Sequence, residues 1–276
     1  MNFLPNTNTF SVRSEGDMQL AHLLELLYTA HERYSTIHVA WTYTYDAVFM
    51  NRLLRTSNQR LPERGEAQSQ KETEVWWQIW WQKPVRFREE YGDAKHSQSH
   101  GVTIVDGERT LILYPREKRA VLDIVPTGYG SYTTGKGKLL PQDLVQELAF
   151  RHVVLYPATL LASHDLRIHG LTHYLNRSVI QVEATYRSGA TICATDEFFW
   201  QFADSYRLLV DSQYGTLLSY AAKKGDRTIA MLNVTQISYD KTFPDHVFST
   251  TLPPGFHRVR GRGLLPGLFV FRTLCR

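Results

Sequence analysis

Several stretches of the chain bring reactive or ligating residue types close together, and each can be weighed by the geometry its chemistry demands. Gly130-Ser-Tyr-Thr-Thr-Gly135-Lys136-Gly137 nearly reproduces a phosphate-binding loop between a strand-like run and a helical one. Such a loop needs Ser or Thr after its lysine to ligate Mg²⁺, and Gly137 stands there. The next helix begins near Pro141, too late for its first amides to cradle a phosphate. The stretch therefore reads as a loop, with no ATP hydrolysis expected. Ser163-His164-Asp165 lists the residue types of a hydrolytic triad. Consecutive residues do not reach the relayed geometry of nucleophile, base and orienting carboxylate. His169 and His173 lie four apart on a strand-like run, with no HExxH pattern and no Cys/His pairing, so no metal site is expected. The two cysteines, Cys193 and Cys275, allow one disulfide and no metal cage. No catalytic residue, cofactor or enzymatic activity is expected from these features.

The most informative run is Val75-Trp-Trp-Gln-Ile-Trp-Trp-Gln82. Side chains alternate across a strand, so Trp77, Ile79 and Trp81 share one face and Trp76, Gln78 and Trp80 the other. Val85 and Phe87 continue the Trp77 face if the strand runs on past Pro84. Large apolar groups on both faces require cover on both, or a cavity on one. The run is either core packed under a helix or the wall of an apolar cavity.

The surrounding pattern supplies the elements that hold this strand. Residues 1–16 read as a loose arm without the apolar stretch of a secretory signal. Ser14 and Asp17 resemble a capping box, and a helix is expected from Asp17 to Arg33, with Leu20, Leu23, Leu24, Leu27, His31 and Tyr34 along one stripe. Ile37 to Tyr45 alternates as an aromatic strand, and residues 50–72 read as a long polar loop. Asp106-Gly107 between two apolar runs signals a hairpin. A second helix is expected over Pro141–Phe150 and a helical turn over Pro157–Ser163. Strands then recur at 166–174, 177–186, 196–210, 216–222 and 228–239. The sum is about ten strands and two helices, an α+β domain dominated by antiparallel sheet.

Composition allows a sizeable core and little more: 276 residues, 43% hydrophobic, formal charge +4, and 15 Tyr, 13 Phe and 6 Trp, which suit half-buried strands. The mild basicity permits contact with an anionic membrane and demands no nucleic acid. No apolar run reaches the roughly 18 residues of a membrane helix. Arg258, Arg260 and Arg262 form a small basic run that reads as a solvated tail or a contact for anionic headgroups.

Taken in order, these motifs resemble the LolA/LolB/RseB-like superfamily of lipoprotein carriers and envelope-stress regulators. The matching residues are Tyr28 to Tyr34 leading to Val39-Ala-Trp41, then Trp81-Gln-Lys-Pro84-Val-Arg-Phe87-Arg88. Thr103-Ile-Val-Asp106-Gly107 follows with Leu113-Tyr114-Pro115, then Tyr156-Pro157 to Leu161, Leu208 to Leu217, and the closing Phe248 with Leu252-Pro-Pro254-Gly255. The resemblance implies an α+β LolA-like unclosed half-barrel covered by helices, with an N-terminal arm over 1–16, a lipid-binding domain over 17–256 and a tail over 257–276. It implies an extracytoplasmic, non-enzymatic protein that holds a lipid or acyl chain in its concave face as carrier or chaperone. The alternative is an RseB-like regulatory sensor docking on a membrane-bound anti-sigma factor or other signalling partner, and the partners implied besides a lipid are a lipoprotein or a membrane-bound regulatory protein. The implied apolar lining is Trp41, Tyr43, Trp77, Ile79, Trp81, Val85, Phe87, Leu111 and Leu113.

Overall fold

The computed structural model describes residues 15–46, 73–93, 99–124, 141–187 and 203–259. The arm over 1–14, the polar loop, the near phosphate loop, both cysteines and the end of the tail lie outside the described residues. Helix α1 spans Glu15–Thr29 and tightens into a 3₁₀ turn at Ala30–Glu32. The strands are β1 (Thr36–Tyr45), β2 (Thr73–Gln82), β3 (Arg86–Asp93), β4 (Gly101–Val105), β5 (Arg109–Tyr114) and β6 (Arg119–Ile124). Helix α2 (Pro141–Phe150) and a 3₁₀ helix at Pro157–Ala162 precede β7 (His164–Tyr174), β8 (Arg177–Tyr186), β9 (Ser205–Asp211), β10 (Leu217–Lys224), β11 (Arg227–Tyr239) and β12 (His257–Arg258).

The twelve strands of the described residues form one open sheet in the order β12-β6-β5-β4-β3-β2-β1-β11-β10-β9-β8-β7. Each neighbouring pair is antiparallel except β12 against β6. The result is the unclosed, helix-covered half-barrel of α+β class that the motifs imply. Among the described residues no helix is long and apolar enough to cross a membrane.

The two sheet faces carry two separate apolar clusters. On the helix-covered face, Ile37, Val39, Trp41, Ile79, Trp81, Phe87, Tyr206, Leu208, Tyr220 and Leu232 pack with Leu23, Leu26 and Leu27 of α1 and Val145 and Leu148 of α2. On the opposite face, Val102, Ile104, Leu111, Leu113 and Ala120 are covered by Phe243, Val247, Phe248, Leu252 and Phe256, which follow β11. That segment is tied down by Arg86 to Asp245 (3.1 Å), by Arg88 donating to the Val247 carbonyl (2.9 Å) and by Thr250 donating to Asp106 (2.6 Å).

Two expectations need correction. The chain does not run straight on past Pro84. It reverses through 83–85, with a cis Lys83–Pro84 bond, and β3 returns antiparallel to β2. Phe87 nevertheless stays on the Trp77 face, because it pairs directly opposite Trp81. The Asp106-Gly107 hairpin forms between β4 and β5, with Gly107 at a positive φ and the Asp106 carboxylate accepting from the amides of Glu108 and Arg109 at 2.8 Å each. On α1 the buried stripe is Leu23, Leu26, Leu27 and Ala30, while Leu24 points outward. The tightening into a 3₁₀ turn brings Ala30 into the core, and Lys83 fixes that end by donating to the carbonyls of His31 and Tyr34.

Candidate functional site

The helix-covered face is where the tryptophan run does its packing, and register decides what each ring meets. Trp41 of β1, Trp77 of β2 and Tyr91 of β3 are direct cross-strand neighbours. Their rings form a graded stack: Trp41 to Trp77 at 6.2 Å and 8°, then Trp77 to Tyr91 at 6.2 Å and 23°. Trp41 is buried, whereas Trp77 and Tyr91 are half-buried. Val75 and Tyr45, at the same end of β2 and β1, are also only partly covered. The apolar face is thus sealed at the Trp81 end and partly open at the Trp77 end.

Beneath the stack lies a charged group that sequence reading did not anticipate. Glu89, two residues before Tyr91 on the same face, is buried. Its carboxylate lies 3.2 Å from His152 Nε2 and 3.6 Å from Arg151, both just past α2. Burial alone raises the Glu89 carboxyl, but His152 and Arg151 outweigh it and hold the group below the usual carboxylate range. The His152 ring meets Trp41 edge-on at 5.4 Å, which ties the end of α2 to the stack. Burial pushes the Tyr91 hydroxyl up to about 12, so it stays neutral and a donor at neutral pH. The alternation that places Glu89 inward is visible in Phe87-Arg-Glu-Glu-Tyr91. Nothing in those residues says which glutamate finds cationic partners about 60 positions away.

Of the nine residues expected to line one cavity, the structure brings six onto one face. Trp41, Tyr43, Ile79, Trp81 and Phe87 are buried there against the helices, and Trp77 sits at the partly open end. Val85 lies in the 83–85 turn, where its side chain approaches Gly107. Leu111 and Leu113 belong to the opposite face, under Phe248 and its neighbours. Registers across β3, β4 and β5 put Val105, Thr110 and Ile112 on the Trp77 side instead.

The triad-like residues behave as their spacing predicts. Ser163 Oγ and His164 Nδ1 are 2.9 Å apart and buried. Asp165 points away to Arg187 at 2.9 Å, so no relay forms. His169 pairs with Glu183 at 3.0 Å, and no group of three or more metal-ligating side chains occurs among the described residues.

No family model matches the chain, and no curated protein matches it. Solved structures do. An uncharacterized conserved protein from Thermus thermophilus is 8% identical, with 88% of this chain and 99% of that one covered and a TM-score of 0.43. MucB in the Pseudomonas aeruginosa MucA/MucB complex is 13% identical, covering 90% of this chain and 67% of that one, with a TM-score of 0.45. The Mycobacterium tuberculosis lipoprotein LppX is 9% identical, covering 83% and 98%, with a TM-score of 0.37. At these identities and TM-scores the likeness concerns chain fold alone and assigns no role to this chain.

Proposed function

We propose that this protein binds a lipid or acyl chain on its helix-covered face, without catalysis, with the chain lying against Trp77, Tyr91 and Val75. The observation that supports this reading is the graded stack: three aligned rings that run from a buried Trp41 to a half-buried Trp77 and Tyr91 on one apolar face. A linear apolar chain laid along such a surface removes water from both partners, worth about 0.8 kcal/mol per methylene. Roughly sixteen methylenes, the length of a common fatty-acyl chain, would give a gross 13 kcal/mol, which leaves about the 8 kcal/mol of micromolar affinity when association costs about 5 kcal/mol. The buried Trp41, Ile79, Trp81 and Phe87 act as the floor that keeps the rings in place, and Leu111 and Leu113 have no part in the contact.

The test is titration with an environment-sensitive fatty-acid probe, alongside native mass spectrometry of protein purified from its own host. Trp77→Ala and Tyr91→Ala should each weaken the probe at least tenfold while circular dichroism stays unchanged. Leu113→Ala, on the other face, should lower stability and leave probe affinity within twofold. Wild-type protein that binds no probe and carries no lipid, or a Trp77→Ala variant that binds like wild type, would refute the proposal. A co-purifying protein in place of lipid would favour the regulatory alternative.

A further inference from the structure

The parallel pairing of β12 with β6 joins two basic segments that are more than 130 residues apart in sequence. His257 lies beside Arg119 and Arg258 beside Ala120. The pairing is held by the amides of His257 and Val259 donating to the carbonyls of Lys118 and Ala120, each at 2.8 Å. Arg258 itself donates to the Leu122 carbonyl at 3.0 Å. The tight turn before β6 adds Arg116, Lys118 and Arg119 to the same corner, and all of these cations are exposed. Lys118 holds a left-handed conformation (φ 51°, ψ 34°), where Gly or Asn would cost less. Four cations against the carboxylates of Glu117 and Asp93 leave a local charge of +2, half the chain's +4 in one corner.

We propose that this corner is a contact surface for an anionic lipid bilayer. Two half-buried aromatic rings sit among the cations, Phe256 under Lys118 (5.3 Å) and Tyr114 under Arg119 (5.2 Å). Cations flanking aromatics at a sheet edge suit the headgroup layer, where the ring enters the interface and the charge meets phosphate. A single-stranded nucleic acid would need open ring faces for its bases to stack on, and here each ring already has a cation over it. The surface lies on the β6 edge, apart from the Trp77 stack, so it does not depend on the acyl-binding proposal.

The experiment is co-sedimentation with vesicles of phosphatidylcholine alone and vesicles containing about a third phosphatidylglycerol, in low salt and in about 0.5 M salt. Wild-type protein should sediment with the phosphatidylglycerol vesicles in low salt and be released by high salt. Lys118→Glu with Arg119→Glu should reduce that binding at least tenfold. The milder Lys118→Asn with Arg119→Gln, in which Asn accepts the left-handed backbone, should reduce it at least threefold. Arg167→Glu with Arg207→Glu, exposed on distant strands, should leave it within twofold, and all variants should keep the wild-type circular dichroism. Equal binding to both vesicle types, equal loss in the corner and control variants, or displacement by a single-stranded oligonucleotide at concentrations below those of the lipid would each overturn the proposal.

Discussion

Gly215 is packed against the main chain of Leu26: a Cβ built on Gly215 would lie 2.8 Å from the Leu26 carbonyl carbon and closer still to its oxygen. This contact seats α1 on the turn between β9 and β10. Asp211 shapes that turn by accepting from the amides of Gln213 (2.9 Å) and Tyr214 (3.1 Å), while pairing with Arg177. Gly215 also holds φ at +75°, so a side chain there is both strained and obstructed. Gly215→Ala should therefore cost roughly 3 kcal/mol or more, seen as a fall in Tm of at least about 6 °C. Gly225→Ala is the control, because Gly225 has a positive φ but open space around it, and should cost only about 1 kcal/mol. Equal losses in the two variants would mean that backbone strain alone, and not the helix contact, sets the cost.

Glu89 offers a second test. Removing the buried carboxylate takes an ion-pair partner from Arg151 and a close polar contact from His152, so Glu89→Ala should lose about 3–5 kcal/mol in urea unfolding. Replacing the pair together, as Glu89→Met with Arg151→Met, should recover part of that loss. The pH dependence has a defined sign. The carboxyl is held below its usual range in the folded protein, so its contribution is present above about pH 4.5 and disappears as pH falls through the lowered value. A Glu89→Ala protein as stable as wild type at pH 7 would contradict the ion-pair description.

His164 titrates in the opposite chemical sense but the same pH direction. Burial pushes it down to about 4, so the folded protein keeps it neutral where an unfolded chain would already be protonated. Its contribution is complete above about pH 6.5 and is lost as pH falls toward 4, by up to about 3 kcal/mol. His164→Gln should be less stable than wild type at pH 7, and the gap should close as the pH is lowered to 4.5. A gap that stays constant with pH would show that His164 contributes by packing against Tyr186 and Tyr206 alone.

Local periodicity made much of the fold legible. The β1, β2 and β11 alternations, the 141–150 helix and the Asp106 hairpin all follow from residue spacing, because each element's pattern lies within its own residues. The misread parts depend on pairing between distant segments. Leu111 and Leu113 have the same apolar character as the Trp77 face, but three successive registers set their side, and a one-residue step in any of them exchanges faces. The reversal at Lys83–Pro84 hid behind a proline that also suits a strand break. The Glu89–His152 contact and the β6–β12 pairing join segments about 60 and 140 residues apart, and no local pattern encodes such partners. The tryptophan run itself implies apolar surface on both faces, and each face is covered in part. Only register shows that Trp77, and not Trp81, stands at the open end.

The lipid reading is tested most directly by brominated stearic acid, whose bromines quench only indoles in near contact. Trp77 lies on the helix-covered face and Trp80 on the other, stacked with His38 at 4.8 Å, so the two rings report opposite sides of one strand. The acid should quench wild-type tryptophan emission saturably at micromolar concentration. The quenched component should shrink to the small share of the deeper Trp41 in Trp77→Phe and persist in full in Trp80→Phe. Saturable quenching that is undiminished in Trp77→Phe, or no quenching in the wild type, would contradict binding along the Trp41–Trp77–Tyr91 stack.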